Sequence, residues 1–177
     1  MAVSPEAAKS SVSSPKSRTS PVSFFARSRI MPKSIWNEHT RRALLERLER
    51  LAPETRPRWG KMTAPQMVAH LMNWARMADG EVTTKTIPHP LRYTPLKQLV
   101  IYWLPWPKGV PTAPELIARE PEEWEAETAA LRAHIDSFDT ASKAEWPLHP
   151  AFGKLTPRAW GVLCYRHIDH HFRQFGV

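Results

Sequence analysis

Cysteine is almost missing from this chain: Cys164 stands alone. A single thiol excludes an internal disulfide and points to a reducing compartment, the cytoplasm. Long apolar runs are missing as well. No stretch of about 18 apolar residues occurs, so nothing reads as a membrane span. No segment alternates cleanly between apolar and polar residues, which leaves no candidate strand. Also absent is a row of basic residues interleaved with aromatics along a folded segment. Nucleic-acid binding is therefore not expected, despite a net charge of +8 and a pI near 10.0.

Half of that charge lies in the first thirty residues, where Lys9, Lys16, Arg18, Arg27 and Arg29 oppose Glu6 alone. The same stretch holds nine serines and three prolines. It lacks the apolar periodicity needed to offset chain entropy by burial. Residues 1–33 are expected to form a disordered, basic, Ser-rich tail, and residues 34–177 the folded domain. Met31 stands just before the first periodic segment and offers an alternative start for the natural protein.

What the chain does have is helical periodicity. Asn37 offers an N-cap to a first helix with leucines at 44, 48 and 51, ended by Pro53. Thr63-Ala64-Pro65-Gln66 reads as a capping box for a second helix through Met67, His70, Leu71, Trp74 and Met77 to Gly80. Eight of the eighteen prolines then fall between Pro88 and Pro121, broken by an apolar piece, Leu96 to Leu104, that reads as a short helix. A third long helix is expected from Pro121 through Trp124, Leu131, Ile135 and Phe138. Thr156-Pro157 caps a fourth, running through the C-terminal histidines. A connection of some forty residues exceeds a tight turn and lets the second and third helices run parallel. The expected class is all-α: a four-helix bundle with a long Pro-rich crossover between helices two and three.

Within the last helix, His167, His170 and His171 fall inside five residues, with no glycine or proline between Val162 and Phe175. At about 100° per residue, His167 and His171 lie nearly one above the other. Two imidazoles four apart can grip one metal ion, as in zinc sites of the His-x-x-x-His kind. A third ligand must come from elsewhere. His89 and His149 stand beside prolines in loops, His39 lies in the first turn of helix one, and His134 lies at the edge of its apolar stripe. His70 points inward beside Met67, Trp74 and Met77. A lone inward histidine is most often a hydrogen-bonded core residue, but a second inward pair in the same bundle shifts that weighting towards ligation.

These residues carry a resemblance. Trp59-Gly60-Lys61-Met62, Gln66-Met67-Val68-Ala69-His70-Leu71, His149-Pro150-Ala151-Phe152-Gly153-Lys154-Leu155 and His167 to Gly176 together resemble a bacterial branch of the DinB-like superfamily of metalloenzymes. The resemblance covers about residues 34–177. It implies an up-down-down-up bundle with one histidine on helix two and a His-x-x-x-His pair on helix four, here His70, His167 and His171. It also implies a divalent ion, zinc or nickel, with coordination positions left open. A small-molecule substrate used with a low-molecular-weight thiol is implied too, and a homodimer is left open.

Three neutral imidazoles plus water form a catalytic arrangement, since a structural site would be closed by a fourth protein ligand. Gln174 could orient a ligand or a bound water, and Asn73 could support His70. Cys164 could be a further ligand or a nearby thiol, but reads more simply as a small buried hydrophobe. His170, at the edge of the metal face, could be a base or a bystander. Asp169 faces away and is expected in a surface ion pair. The expected function is a metal-dependent thiol transferase or hydrolase. The alternative is a non-catalytic, metal-stabilised bundle acting through protein contacts.

Overall fold

A computed structural model describes Met1 and residues 31–86, 88–108, 123–138 and 145–177. The chain divides into two units, Met1–Ile30 and Met31–Val177. The expected tail lies almost wholly outside the described residues, and the following concerns the second unit.

Its helices are α1 (Glu38–Leu48), α2 (Ala64–Asp79), α3 (Leu96–Tyr102), α4 (Trp124–Asp136) and α5 (Pro157–Phe175), with a 3-10 turn at Pro90–Arg92. No strand occurs among the described residues, so the all-α class holds. Among the described residues the helices number five rather than four, because the apolar piece of the crossover forms α3 and lies on α5. Pro121, where the third long helix was expected to begin, falls outside the described residues.

The start signals act as their chemistry predicts. The Asn37 side chain accepts from Thr40 N at 3.0 Å. Thr63 and Gln66 form both halves of a capping box, at 3.2 and 3.0 Å. Thr156 accepts from Ala159 N at 3.2 Å. Each cap satisfies an N–H that the first helical turn leaves unpaired. α2 and α5 both end on a left-handed glycine, Gly80 and Gly176. α1 stops at Leu48, short of the expected Leu51, yet Leu51 still packs inward.

α1 packs on α4 and α5, and α2 on the same two helices. The shared core holds Leu44 and Leu48 of α1, Met67 and Leu71 of α2, Leu131 and Ile135 of α4, and Trp160 and Phe172 of α5. Burying each such side chain contributes about 1.5–3 kcal/mol, which makes this apolar stripe the main source of stability. The segment before α1 lies tightly on α5. Ile35 N donates to Gly161 O at 2.9 Å. A Cβ at Gly161 would stand 2.1 Å from Trp36 Nε1. A glycine in mid-helix costs about 1 kcal/mol, and this close approach accounts for it.

Candidate metal centre

α2 and α5 bring three histidines together. His70 Nε2 lies 3.1 Å from His167 Nε2, and His171 Nε2 lies 3.2 Å from the same atom. All three side chains are buried, and their ligand atoms lie within 4.8 Å of one another. His70 comes from α2, and one turn of α5 separates the other two. The spacing His-x-x-x-His supplies that stacking, and the apolar face of α2 carries His70 inward between Met67 and Trp74.

Hydrogen bonding does not explain the His167 ring. The single Nε2 position of His167 faces two other Nε2 atoms, and one N–H can serve only one of them. Its Nδ1 is buried with no hydrogen-bond partner. A core histidine kept for its hydrogen bonds would satisfy at least one nitrogen with an oxygen acceptor or an N–H donor. His171 shows which nitrogen is meant to be free. Its Nδ1 lies 2.9 Å from Gln174 Oε1, and Gln174 Nε2 donates to Trp59 O at 2.8 Å. The amide can satisfy both only with its oxygen towards the ring, so Nδ1 carries the proton and Nε2 points a lone pair into the cluster. Imidazole nitrogens about 2.0–2.1 Å from a tetrahedral ion stand about 3.3–3.4 Å apart. The observed 3.1 and 3.2 Å lie close to that spacing.

The environment keeps the His167 and His171 rings neutral, the form that ligates. Burial, and then the nearby His171 and His70, hold His167 well below the usual histidine range. Burial brings His171 down to about 3, with His70 adding to the effect and the Gln174 bond opposing it. Aromatic rings close the surroundings: Trp74 lies 4.9 Å and Trp106 6.1 Å from the His167 ring, centre to centre.

The other expected residues divide. Gln174 is buried and bonds His171 directly. Asn73 is half-buried on α2, and its side chain bonds none of the three rings. Cys164 is fully buried in the apolar core and is not a member of the histidine cluster. His170 is half-buried, its ring 5.4 Å from that of His171. Burial foremost, and then Arg173, lower its pKa against the pull of Asp169. Asp169 corrects an expectation. It is buried, not superficial, and pairs with Arg47 at 2.6 Å and with Arg173. Burial alone would raise its carboxyl pKa, but the bonds to Arg173 and Arg47 outweigh that and lower it.

His149 was expected beside a proline in a loop, a setting that gives no sign of burial. The structure buries it in the turn closed by paired backbone bonds between His149 and Gly153. Its Nδ1 accepts from Ala151 N at 3.1 Å and Phe152 N at 3.2 Å, which puts its proton on Nε2. The ring lies 5.6 Å from that of Trp160, and burial brings its pKa to about 3. Gly60 was also missed as a site residue, although it lies in the Trp59-Gly60-Lys61 stretch. At φ +83°, with its Cβ position 2.6 Å from Gln174 Nε2, it is what lets the Trp59 carbonyl reach that amide.

Beside the cluster opens a cleft of about 180 Å³. Trp59, Trp106, Lys108, Arg166, His170 and Arg173 contribute to its wall.

The family model of the DinB superfamily matches residues 37–175. No curated protein and no solved structure matches the chain. Among the described residues no helix is long and apolar enough to cross a membrane.

Proposed function

Since the chain belongs to the DinB superfamily, we propose that it is a divalent-metal enzyme, a thiol transferase or hydrolase acting on a small molecule. His70, His167 and His171 hold the ion, zinc or nickel. The observation that carries this reading is the convergence of the His70 and His171 Nε2 atoms on Nε2 of His167, at 3.1 and 3.2 Å. Among the described residues no fourth side chain joins the group, which favours an open, catalytic coordination sphere over a closed structural one. When bound, such an ion lowers the pKa of a water or thiol at its open position and so supplies a nucleophile near neutral pH.

The chain's own residues prepare that position. Gln174 holds the Nδ1 proton of His171 and so fixes the direction of its lone pair. Burial keeps the His167 and His171 rings unprotonated at neutral pH. Trp74 and Trp106 limit water around His167. In this reading α1, α2, α4 and α5 form a four-helix bundle in up-down-down-up order, with α3 part of the crossover. A reducing cytoplasm suits the single buried thiol. A homodimer is compatible with the fold, and a low-molecular-weight thiol is the favoured co-substrate.

The non-catalytic alternative makes the ion a structural staple. The core argues against it, because the apolar stripes of α1, α2, α4 and α5 pack without help from the histidines. Chelation separates the two readings. Protein stripped of metal should remain a cooperative helical fold that melts several degrees lower, and should lose any turnover found with panels of electrophiles and thiols. Outright unfolding on chelation would favour the structural staple.

A further inference from the structure

The cleft beside the cluster is positively charged and aromatic at once. Lys108 Nζ lies 4.7 Å from the centre of the Trp59 ring, and Arg166 Cζ lies 5.4 Å from that of Trp106. Arg166 donates to Val100 O at 2.8 Å, Ile101 O at 2.7 Å and Leu104 O. Those carbonyls fix the guanidinium in place and carry no net charge of their own, so its nearby counter-charge is Asp169. Arg173 shares Asp169 with Arg47, so one carboxylate serves two cations. Lys108 makes no ion pair among the described residues. Among the described residues the wall therefore presents Lys108, Arg166 and Arg173 against Asp169 alone, and that carboxylate is already bonded.

The cleft also leads to the right place. The His170 ring lies 5.9 Å from Trp59 and 6.1 Å from Trp106, between the two indoles, and 5.4 Å from His171. Trp106 in turn lies 6.1 Å from His167. One layer of rings separates the cleft from the histidine cluster. Its volume of about 180 Å³ leaves room for one small molecule.

We propose that this cleft binds the anionic end of a small substrate, a carboxylate or phosphate ester on a flat or apolar body, with its reacting end towards His70, His167 and His171. The indoles offer stacking faces, and the fixed cations supply charge-assisted hydrogen bonds. The orientation towards the cluster rests on the metal-enzyme reading; the anion site itself does not.

The test uses the full chain, both zinc-loaded and stripped with EDTA, and follows tryptophan fluorescence, since Trp59 and Trp106 line the cleft. Phenyl phosphate and benzoate are the probes, with benzyl alcohol as the neutral control. Saturable quenching by at least one anion is expected, at least tenfold tighter than benzyl alcohol and weakened by added salt. K108E should weaken that binding at least tenfold, with unchanged melting temperature and zinc content, and the effect should persist in stripped protein. Binding that disappears on stripping but ignores K108E would put the anion on the ion. That result would overturn the cleft proposal and leave the metal reading standing. Unimpaired cleft binding in a protein that takes up no zinc would support the anion site and remove only the metal reading. Equal affinity for benzyl alcohol, or tighter binding of a thymidine oligomer than of phenyl phosphate, would overturn the proposed ligand class.

Discussion

Nδ1 of His171 lies 2.9 Å from Oε1 of Gln174, less than one turn further along α5. The second arm of the same amide reaches Trp59 O at 2.8 Å. The loop before α2 thereby sets the direction of a candidate ligand on α5, and a residue outside the histidine cluster acquires influence over it.

Gln174→Leu keeps the volume and removes both arms. Loss of a group that orients a ligating histidine typically costs about 10–100-fold in metal affinity. The variant should compete that much less well against a chelator for zinc, with near-normal helix content. Unchanged affinity would show that the amide only ties the loop down.

Gly60→Ala acts on the same link from the other side. A left-handed backbone costs a non-glycine residue about 1–2 kcal/mol, and the new Cβ would press on Gln174 Nε2. At about 2–4 °C per kcal/mol for a chain of this size, the melting temperature should fall by several degrees. Metal affinity should fall with it. A melting temperature within a degree of wild type would contradict the packing described.

Acid should destabilise the metal-free protein before its carboxylates titrate. His149 and His171 are held at about 3 when folded, whereas an unfolded histidine titrates near 6.5. Between those values the unfolded chain binds more protons, so stability rises with pH. It is complete above about 6.5 and declines as pH falls below it, at about 1.4 kcal/mol per unit for each such ring. His167 shifts in the same direction. Melting of EDTA-treated protein at pH 8, 6.5 and 5 should show a plateau and then a fall. Loaded protein should fall more steeply, because protons also displace the ion. A flat profile would mean that the rings protonate freely in the fold.

Asp169 and Glu38 allow a controlled comparison of ion pairs. The side chains of the Arg47–Asp169 pair are 18% and 7% exposed, those of Arg42–Glu38 68% and 74%. Removing one member of a buried pair strands the other, at a cost of about 3 kcal/mol or more, whereas an exposed pair is worth roughly 0–1 kcal/mol. Urea unfolding should show D169N strongly destabilised and E38Q nearly unchanged. Equal effects would mean that Asp169 is solvated.

What the sequence made legible was local. Asn37, Thr63 with Gln66, Thr156, Gly80 and Gly176 mark helix ends through bonds that span three or four residues. The pair His167 and His171 is legible for the same reason, since helical spacing alone stacks it. His70 was legible because its apolar neighbours on one face of α2 show where it points. Asp169 was misplaced because its burial depends on Arg47, which comes from another helix, and nothing in α5 itself signals that partner. His149 was missed because backbone N–H groups of its own turn, and not an apolar pattern, hold it inside. The cleft depends on Trp59, Trp106 and His170 meeting from three separate segments. A short helix within a proline-rich crossover was visible, but that it would pack on α5 was not.

The central claim is that His70, His167 and His171 hold one divalent ion. Elemental analysis of the purified full-length chain, with H70A, H167A and H171A measured beside H134A and H89A, tests it most directly. About one equivalent of zinc or nickel is expected in wild type, H134A and H89A, and none retained after dialysis in the other three. His134 serves as the comparison because it is only half-buried, on α4 beside Asp79 and Phe138. Full metal occupancy in H70A, or a wild-type protein that takes up no divalent metal when supplied with it, would contradict the account.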